Sequence, residues 1–139
     1  MTGRGAHHSF EEHTSEILLC ITAPTREELY AEAGRALAEL LADDPDLTYG
    51  PVEPITVTAR DAAALLVAWV DELVYRAETR GCVYPSVQVS YADDTRLEVS
   101  MRGGPPAEWR TAVKAATWHR LAVEPDGAGG WTATVVLDV

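Results

Sequence analysis

The end of the chain has the clearest alternation of apolar and polar residues. One face of residues 131–138 would carry Trp131, Ala133, Val135 and Leu137, and the other would carry Thr132, Thr134, Val136 and Asp138. This period of two is typical of a β-strand. Such a strand brings the Asp138 side chain and the Val139 α-carboxylate to the rim of a sheet, where a third acidic side chain would complete a site for a hard divalent cation. The spacing alone favours a simpler interpretation, in which Asp138 is a solvated acid at a strand end.

Two segments have the apolar periodicity of amphipathic helices. The first begins after the predicted N-cap Thr25, and the second runs from the predicted N-cap Asp61 to a C-terminal cap at Gly81. The expected buried stripes are Leu29, Ala33, Leu37, Leu40 and Leu41 in the first helix, and Leu65, Leu66, Trp69, Val70, Leu73 and Val74 in the second. On the polar side of the second helix, Arg76 is expected to pair with Glu72 at the surface.

The other periodic segments predict strands. They are residues 17–22, 51–59, 82–91, 96–101 and 114–124. The first of them is apolar on both faces and is therefore expected at the centre of a sheet, and the third and fourth form a β-hairpin. The chain is thus predicted to have an α+β fold of two layers, with two α-helices packed on a mixed or mostly antiparallel β-sheet, in the order β-α-β-α-β-β-β-β.

The length of 139 residues suits one domain, which we expect to span residues 10–139 after a flexible lead-in of residues 1–9. The formal net charge is −11, with 22 acidic and 11 basic residues. This balance argues against direct nucleic-acid binding and suits a cation or a basic protein partner. The chain has no apolar run of membrane-spanning length and no signal-peptide pattern, and Cys20 and Cys82 fit reduced core thiols. We therefore expect a cytoplasmic protein without membrane association.

Common catalytic and nucleotide-binding motifs are absent from the sequence. It has no P-loop, no Cys-x-x-Cys, no His-Glu-x-x-His, no Gly-x-Ser-x-Gly and no Gly-x-Gly-x-x-Gly. Outside the lead-in, His13 and His119 are the candidate acid–base side chains, and a structural role is the commoner one for such histidines. The residues alone therefore support an α+β domain with a possible acidic cation site.

Five segments nevertheless resemble the archease family in their order and approximate spacing. They are Glu12–Glu16 (EHTSE), Thr25–Tyr30 (TREELY), the helical segment 61–75, Val113–Leu121 (VKAATWHRL) and Gly130–Val139. The resemblance covers nearly the whole chain after Ser9. It implies a protein without catalytic activity of its own. Archeases are accessory proteins of the RtcB-type RNA ligase, which joins tRNA halves in splicing and repairs broken RNA with GTP and divalent metal. They promote guanylylation of the ligase histidine and permit multiple turnover.

The resemblance also implies a metal site. The family uses an acidic residue of a Glu-His-Thr-Ala-Asp motif together with the closing aspartate and the terminal residue, which correspond here to Glu16, Asp138 and Val139. Glutamate replaces the usual aspartate at position 16, and its extra methylene moves the carboxylate by about one bond length. We therefore expect calcium, whose coordination is flexible, with magnesium or manganese as alternatives.

The same motifs contain His13, Lys114 and His119, which are candidate contacts to the ligase, with a packing role as the alternative. The protein could dock on the basic RNA channel of the ligase, or it could present its ion to nucleotide phosphates. Docking is the simpler hypothesis because it requires only a higher affinity for one state of the ligase. Two other classes stay open: a metal-dependent hydrolase with His13 or His119 as base, and a chaperone-like interaction module with an exposed apolar patch.

Overall fold

The structure, a computed structural model, describes residues 5–46 and 50–139. Within these ranges the chain forms two helices and seven strands. They are β1 (His7–His13), β2 (Glu16–Ala23), α1 (Arg26–Leu41), β3 (Glu53–Thr58), α2 (Ala62–Arg80), β4 (Val83–Ala92), β5 (Arg96–Gly104), β6 (Ala115–Pro125) and β7 (Trp131–Asp138). No helix in the described ranges is long and apolar enough to cross a membrane.

The strands form two sheets, and every pairing between neighbouring strands is antiparallel. One sheet has the strand order β1-β2-β7-β6, and the other has the order β3-β5-β4. The α+β class, the two helices and the central position of β2 are confirmed. A single sheet was expected, but the strands form two. The reason is that β2 pairs with the terminal strand β7, whereas β3 pairs with β5 of the β4–β5 hairpin.

The N-terminal segment differs from the prediction. Residues 1–9 were expected to be a flexible lead-in, yet His7 begins β1, which pairs along its whole length with β2. Residues 1–4 lie outside the described residues. The pattern was missed because β1 is an edge strand, and its alternation of exposed and half-buried residues has only one large apolar side chain, Phe10.

Both helices begin at their predicted N-caps, and α2 also ends at its predicted C-cap. Thr25 Oγ1 accepts a hydrogen bond from Glu28 N at 3.1 Å, and Asp61 Oδ1 accepts one from Ala64 N at 2.8 Å. Gly81 ends α2 with a left-handed φ of 64°, a conformation that glycine adopts without steric cost. Local chemistry therefore determines the ends of α2 and the start of α1.

The two helices contact each other through a close approach at Gly34. A Cβ atom at this position would lie 2.9 Å from Trp69 Cζ2. Trp69 is fully buried, and its Nε1 donates a hydrogen bond to Tyr30 O at 2.9 Å, while the Tyr30 hydroxyl donates to Ala62 O at 3.0 Å. The polar atoms of two large core aromatic residues are thus satisfied by backbone carbonyls of the opposite helix.

A buried arginine joins α2 to β3 and β4. Arg76 was expected at the surface, but only 9% of it is exposed. Its Nε donates to Glu72 at 2.7 Å, as predicted, and its Nη1 donates to Glu53 of β3 at 3.0 Å. The guanidinium also lies 5.6 Å from the ring centroid of Tyr84 in β4. Arg76 is buried because β3 and β4 cover this side of α2.

His8 joins the edge strand β1 to α1. Its Nδ1 lies 2.6 Å from Glu32 Oε2, and its Nε2 lies 2.5 Å from Glu39 Oε2. Both ring nitrogens can donate only in the imidazolium form. Burial by itself lowers the pKa of His8, but the hydrogen bonds to Glu32 and Glu39 outweigh burial and raise this pKa above 6.5. Because the folded pKa exceeds the unfolded one, the stabilisation is complete below about pH 6.5 and is lost as the pH rises through the folded pKa.

This arrangement predicts a pH-dependent effect of replacing His8. We expect His8→Gln to lower the free energy of unfolding by about 1 kcal/mol at pH 6 and by much less at pH 9, as measured by urea denaturation. The exposed His119 provides the control, since His119→Gln should change neither value. An equal loss for His8→Gln at the two pH values would contradict the imidazolium assignment.

The close approach at Gly34 predicts that a better helix former destabilises the protein. Helix propensity alone would make Gly34→Ala stabilising by about 1 kcal/mol. The clash with the Trp69 ring should outweigh this gain, so that Gly34→Ala lowers the free energy of unfolding by about 1–2 kcal/mol. Urea denaturation measures the change. A gain in stability would show that the helices can separate without cost.

Candidate functional site

The predicted site residues meet at one end of the four-stranded sheet. His13 of β1 pairs with Glu16 of β2, Glu16 pairs with Asp138 of β7, and Asp138 pairs with Ala115 of β6. Side chains of directly paired residues in antiparallel strands lie on the same face of the sheet. A row that crosses all four strands therefore contains both carboxylates that sequence analysis selected.

This row lies on the face of the sheet that points away from the helices. Side chains alternate between the two faces of a strand, and the neighbours Ile17 and Leu137 are buried, Leu137 within the core beneath the helices. Glu16 and Asp138 consequently point to the opposite face, where Glu16 is half-buried and Asp138 is exposed. A partner or an ion can reach them from solvent.

The backbone around the two carboxylates is held by hydrogen bonds. Val139 N donates to Ser15 O at 3.1 Å, and Lys114 N donates to Asp138 O at 2.8 Å. Ser15 occupies the turn between β1 and β2 and has a left-handed φ of 64°, which is uncommon for a residue other than glycine. The last residue of the sequence is thereby fixed beside the β1–β2 turn, next to Glu16.

The electrostatics of the facing pair are unfavourable unless a cation is bound. Like charges directly opposite each other on neighbouring strands destabilise a sheet. Among residues 5–46 and 50–139, neither side-chain carboxylate of Glu16 and Asp138 has a hydrogen-bond or ion-pair partner. An all-oxygen donor set of this kind is the type that hard cations such as calcium and magnesium prefer.

The described residues include no group of three or more His, Cys, Asp or Glu side chains that could hold a metal ion. The predicted site would not form such a group, because it combines two carboxylate side chains with a backbone oxygen of Val139. His13 is exposed and lies in the same row as the pair. The residues present therefore fit a cation bound by side chains and backbone together.

The other two predicted residues lie on β6 or next to it. Lys114 is exposed and immediately precedes the strand, beside Asp138. His119 is exposed in an irregular part of β6, between the paired residues Thr117 and Ala122. The structure therefore brings Lys114 to the end of the acidic row, whereas His119 lies further along the edge of the sheet.

Asp71 of α2 supports the site, a role that the sequence did not reveal. Its Oδ1 accepts a hydrogen bond from Ala116 N at 2.9 Å. A side chain of α2 thus satisfies a backbone N–H of β6 next to the acidic row. Sequence analysis did not select Asp71 as a site residue. The sequence does show a short acidic side chain between the buried residues Val70 and Leu73. It does not show the partner, because Ala116 lies 45 residues further along the chain.

Comparison with known proteins agrees with this architecture. The model of the archease protein family (MTH1598/TM1083) matches residues 8–139. Among relatives named protein archease, the one from Methanosarcina mazei is 29% identical over the full length of both chains. The one from Pyrobaculum islandicum is 31% identical and aligns with 99% of this chain and 98% of its own.

Two solved structures share the fold. The solution structure of Methanobacterium thermoautotrophicum protein 1598 has a TM-score of 0.68 at 24% identity and covers 95% of this chain and 98% of its own. The crystal structure of a Thermotoga maritima archease, described as a possible chaperone, has a TM-score of 0.65 at 22% identity and covers 96% and 100% of the two chains. The family model spans all but the first seven residues. The chain therefore belongs to the archease family.

Proposed function

We propose that the protein is a non-enzymatic activator of an RtcB-type RNA ligase and promotes ligase guanylylation and multiple turnover in tRNA splicing or RNA repair. The observation that carries the proposal is the pair of facing carboxylates, Glu16 and Asp138, at an accessible end of the sheet in a chain of the archease family. In this proposal the protein acts in the cytoplasm.

In this proposal the cation is held by the side chains of Glu16 and Asp138 and by the carboxylate of Val139. A divalent ion would cancel the repulsion between the two side chains, and it would join β2 to β7 at the sheet rim. Calcium is the preferred ion because its flexible coordination tolerates the longer glutamate better than the octahedron of magnesium does. Magnesium and manganese are the alternatives to be tested.

Docking on the ligase accounts for the net charge as well as for the site. A protein of formal charge −11 is attracted to a basic RNA channel, and attraction of this kind accelerates association. If the protein binds more tightly to the ligase state that accepts GTP and metal, it raises the population of that state without doing chemistry itself. His13 and Lys114 flank the acidic row and would contact the ligase.

The hydrolase interpretation needs a histidine base near the metal and a pocket that holds an activated water. His13 lies in the acidic row, paired with Glu16, whereas His119 lies in the irregular part of β6. Glu16 and Asp138 lie on the face of the sheet that points away from the helices, where Asp138 is exposed, and such an open face suits a partner better than an enclosed substrate. The chaperone interpretation needs a contiguous apolar patch. In the described ranges the large exposed apolar residues come from different segments of the chain: Val52, Tyr75, Tyr91, Trp109 and Trp118.

The facing carboxylates predict that neutralising either of them has opposite effects on stability in the absence and in the presence of a divalent cation. Without divalent ions, we expect Asp138→Asn and Glu16→Gln each to raise the free energy of unfolding by about 0.2–1 kcal/mol, because a repulsion is removed. With calcium at about 100 times its dissociation constant, the original protein should gain about 2.7 kcal/mol. The variants should lose most of that gain. Thermal unfolding with EDTA and with added calcium, magnesium or manganese measures both effects.

A matched control separates the site from general acidity. Glu124 is an exposed acid on β6 in the same sheet, and it pairs with Thr132 instead of another acid. Glu124→Gln should leave the cation response intact. If no divalent ion stabilises the original protein, the proposed cation site is wrong.

The ligase function has its own test. Purified RtcB-type ligase from the same source is incubated with GTP, manganese and a broken RNA, with and without the protein, and guanylylated ligase and joined RNA are measured over several turnovers. We expect a rate increase that Asp138→Asn reduces by at least about tenfold, while Glu124→Gln retains it. The absence of any stimulation by the original protein would refute the activator function.

A further inference from the structure

Unpaired positive charge in this acidic protein is concentrated at β6. Each arginine in the described ranges other than Arg120 has a hydrogen-bond or ion-pair partner. Within those ranges the side chains of Arg120 and Lys114 have none, and both residues are exposed. Two exposed cations whose side chains have no partner, one in β6 and one immediately before it, in a chain of charge −11, indicate a local surface that suits an anionic ligand.

Arg120 is presented by a strained bulge. The pairing of β6 with β7 moves from Thr117 opposite Val136 to Ala122 opposite Thr134, so residues 118–121 of β6 face the single residue between these two in β7. Arg120 has a left-handed φ of 55°, and Thr134 Oγ1 donates to its carbonyl oxygen at 2.7 Å. Bulges at sheet edges re-aim side chains, and backbone strain of this kind clusters at functional sites.

The bulge also exposes an aromatic side chain. Trp118 is 54% exposed, and the guanidinium of Arg60 lies 4.9 Å from its ring centroid. Arg60 is itself exposed, and its one ion-pair partner in the described ranges is its exposed neighbour Asp61 at 3.5 Å. Tryptophan and arginine are the residues most enriched at the energetic centres of protein interfaces. We call Arg60, Lys114, Trp118, His119 and Arg120 the β6 bulge surface.

The β6 bulge surface lies on the same pair of strands, β6 and β7, as one end of the candidate cation site. Lys114 N donates to Asp138 O at 2.8 Å, and the bulge faces a residue three positions before Asp138 in β7. At about 3.3 Å per residue, the centre of the surface lies about 10 Å from Asp138 along the sheet.

We infer that the β6 bulge surface is the contact for an acidic segment of the ligase, with Trp118 as the apolar anchor and Lys114 and Arg120 as the paired cations. This inference rests on the proposed activator function and specifies the interface. Charge complementarity selects a carboxylate-bearing protein segment over RNA. Nucleic-acid binding depends on many basic contacts along a phosphate backbone, and a net charge of −11 opposes a polyanion.

The test is the affinity of the full-length protein for purified ligase, measured by isothermal titration calorimetry at two salt concentrations. We expect Trp118→Ala and Arg120→Glu each to weaken binding by at least about tenfold. Matched controls are Trp109→Ala, since Trp109 is 50% exposed on another segment, and Arg96→Glu, since Arg96 is an exposed arginine on β5. The controls should stay within about twofold of the original affinity.

Arg120→Gly separates the interface role from a structural one. Glycine adopts a positive φ without steric cost, so this variant should unfold at a higher temperature than the original protein. It should nevertheless bind the ligase more weakly, because the charge is lost. A variant that is more stable and keeps full affinity would overturn the role assigned to Arg120.

The remaining outcomes distinguish the inference from the function on which it rests. If the original protein stimulates the ligase and the Trp118 and Arg120 variants bind it normally, the interface is wrong and the activator function stands. If the original protein neither binds nor stimulates, both are wrong. If Arg120→Glu loses binding to a fluorescent single-stranded oligouridylate while its ligase affinity is unchanged, the surface contacts RNA and the inference is overturned.

Discussion

The reciprocal contact between α1 and α2 is the constraint on which the arrangement of the fold depends. Trp69 is fully buried and donates its indole N–H to the carbonyl of Tyr30, and the Tyr30 hydroxyl donates to the carbonyl of Ala62. Gly34 makes this geometry possible because any side chain there would meet the indole ring. These contacts fix the position of the two helices relative to each other. In this arrangement α1 packs on β2 and β4, and α2 packs on β6.

The position of the acidic row follows from that packing. The helices cover one face of the four-stranded sheet, so the row of His13, Glu16 and Asp138 lies on the face left to solvent. Asp71 links the two layers, since it projects from α2 and binds the backbone of β6 where the row ends. The core therefore positions the candidate site without contributing side chains to it.

Two departures from regular backbone lie near this end of the sheet. Ser15 and Arg120 are the residues other than glycine that have positive φ in the described ranges; one shapes the turn before Glu16, and the other shapes the bulge of β6. Such conformations persist only where surrounding contacts determine them. Val139 N binds Ser15 O, and Thr134 Oγ1 binds Arg120 O. Backbone strain, anionic charge and unpaired positive charge are thus located on neighbouring parts of one sheet.

Much of this protein follows from its sequence, because helix caps, apolar stripes and strand alternation depend on interactions within a few residues. Thr25, Asp61 and Gly81 determine helix ends by local hydrogen bonding and backbone conformation, and those predictions are confirmed. The strand β1 was missed because an edge strand has little apolar pattern of its own. The motifs also identified Glu16 and Asp138 as candidates, through resemblance to a family.

Only the tertiary structure decided which residues face one another. The pairing of Glu16 with Asp138 joins opposite ends of the chain, and the binding of His8 to α1 and the burial of Arg76 likewise depend on distant segments. The bulge that exposes Arg120 arises where β6 rejoins β7 in register after three additional residues. The physical reason is the same in each case. Local sequence specifies the elements, whereas register and burial arise from the free energy of packing the elements together.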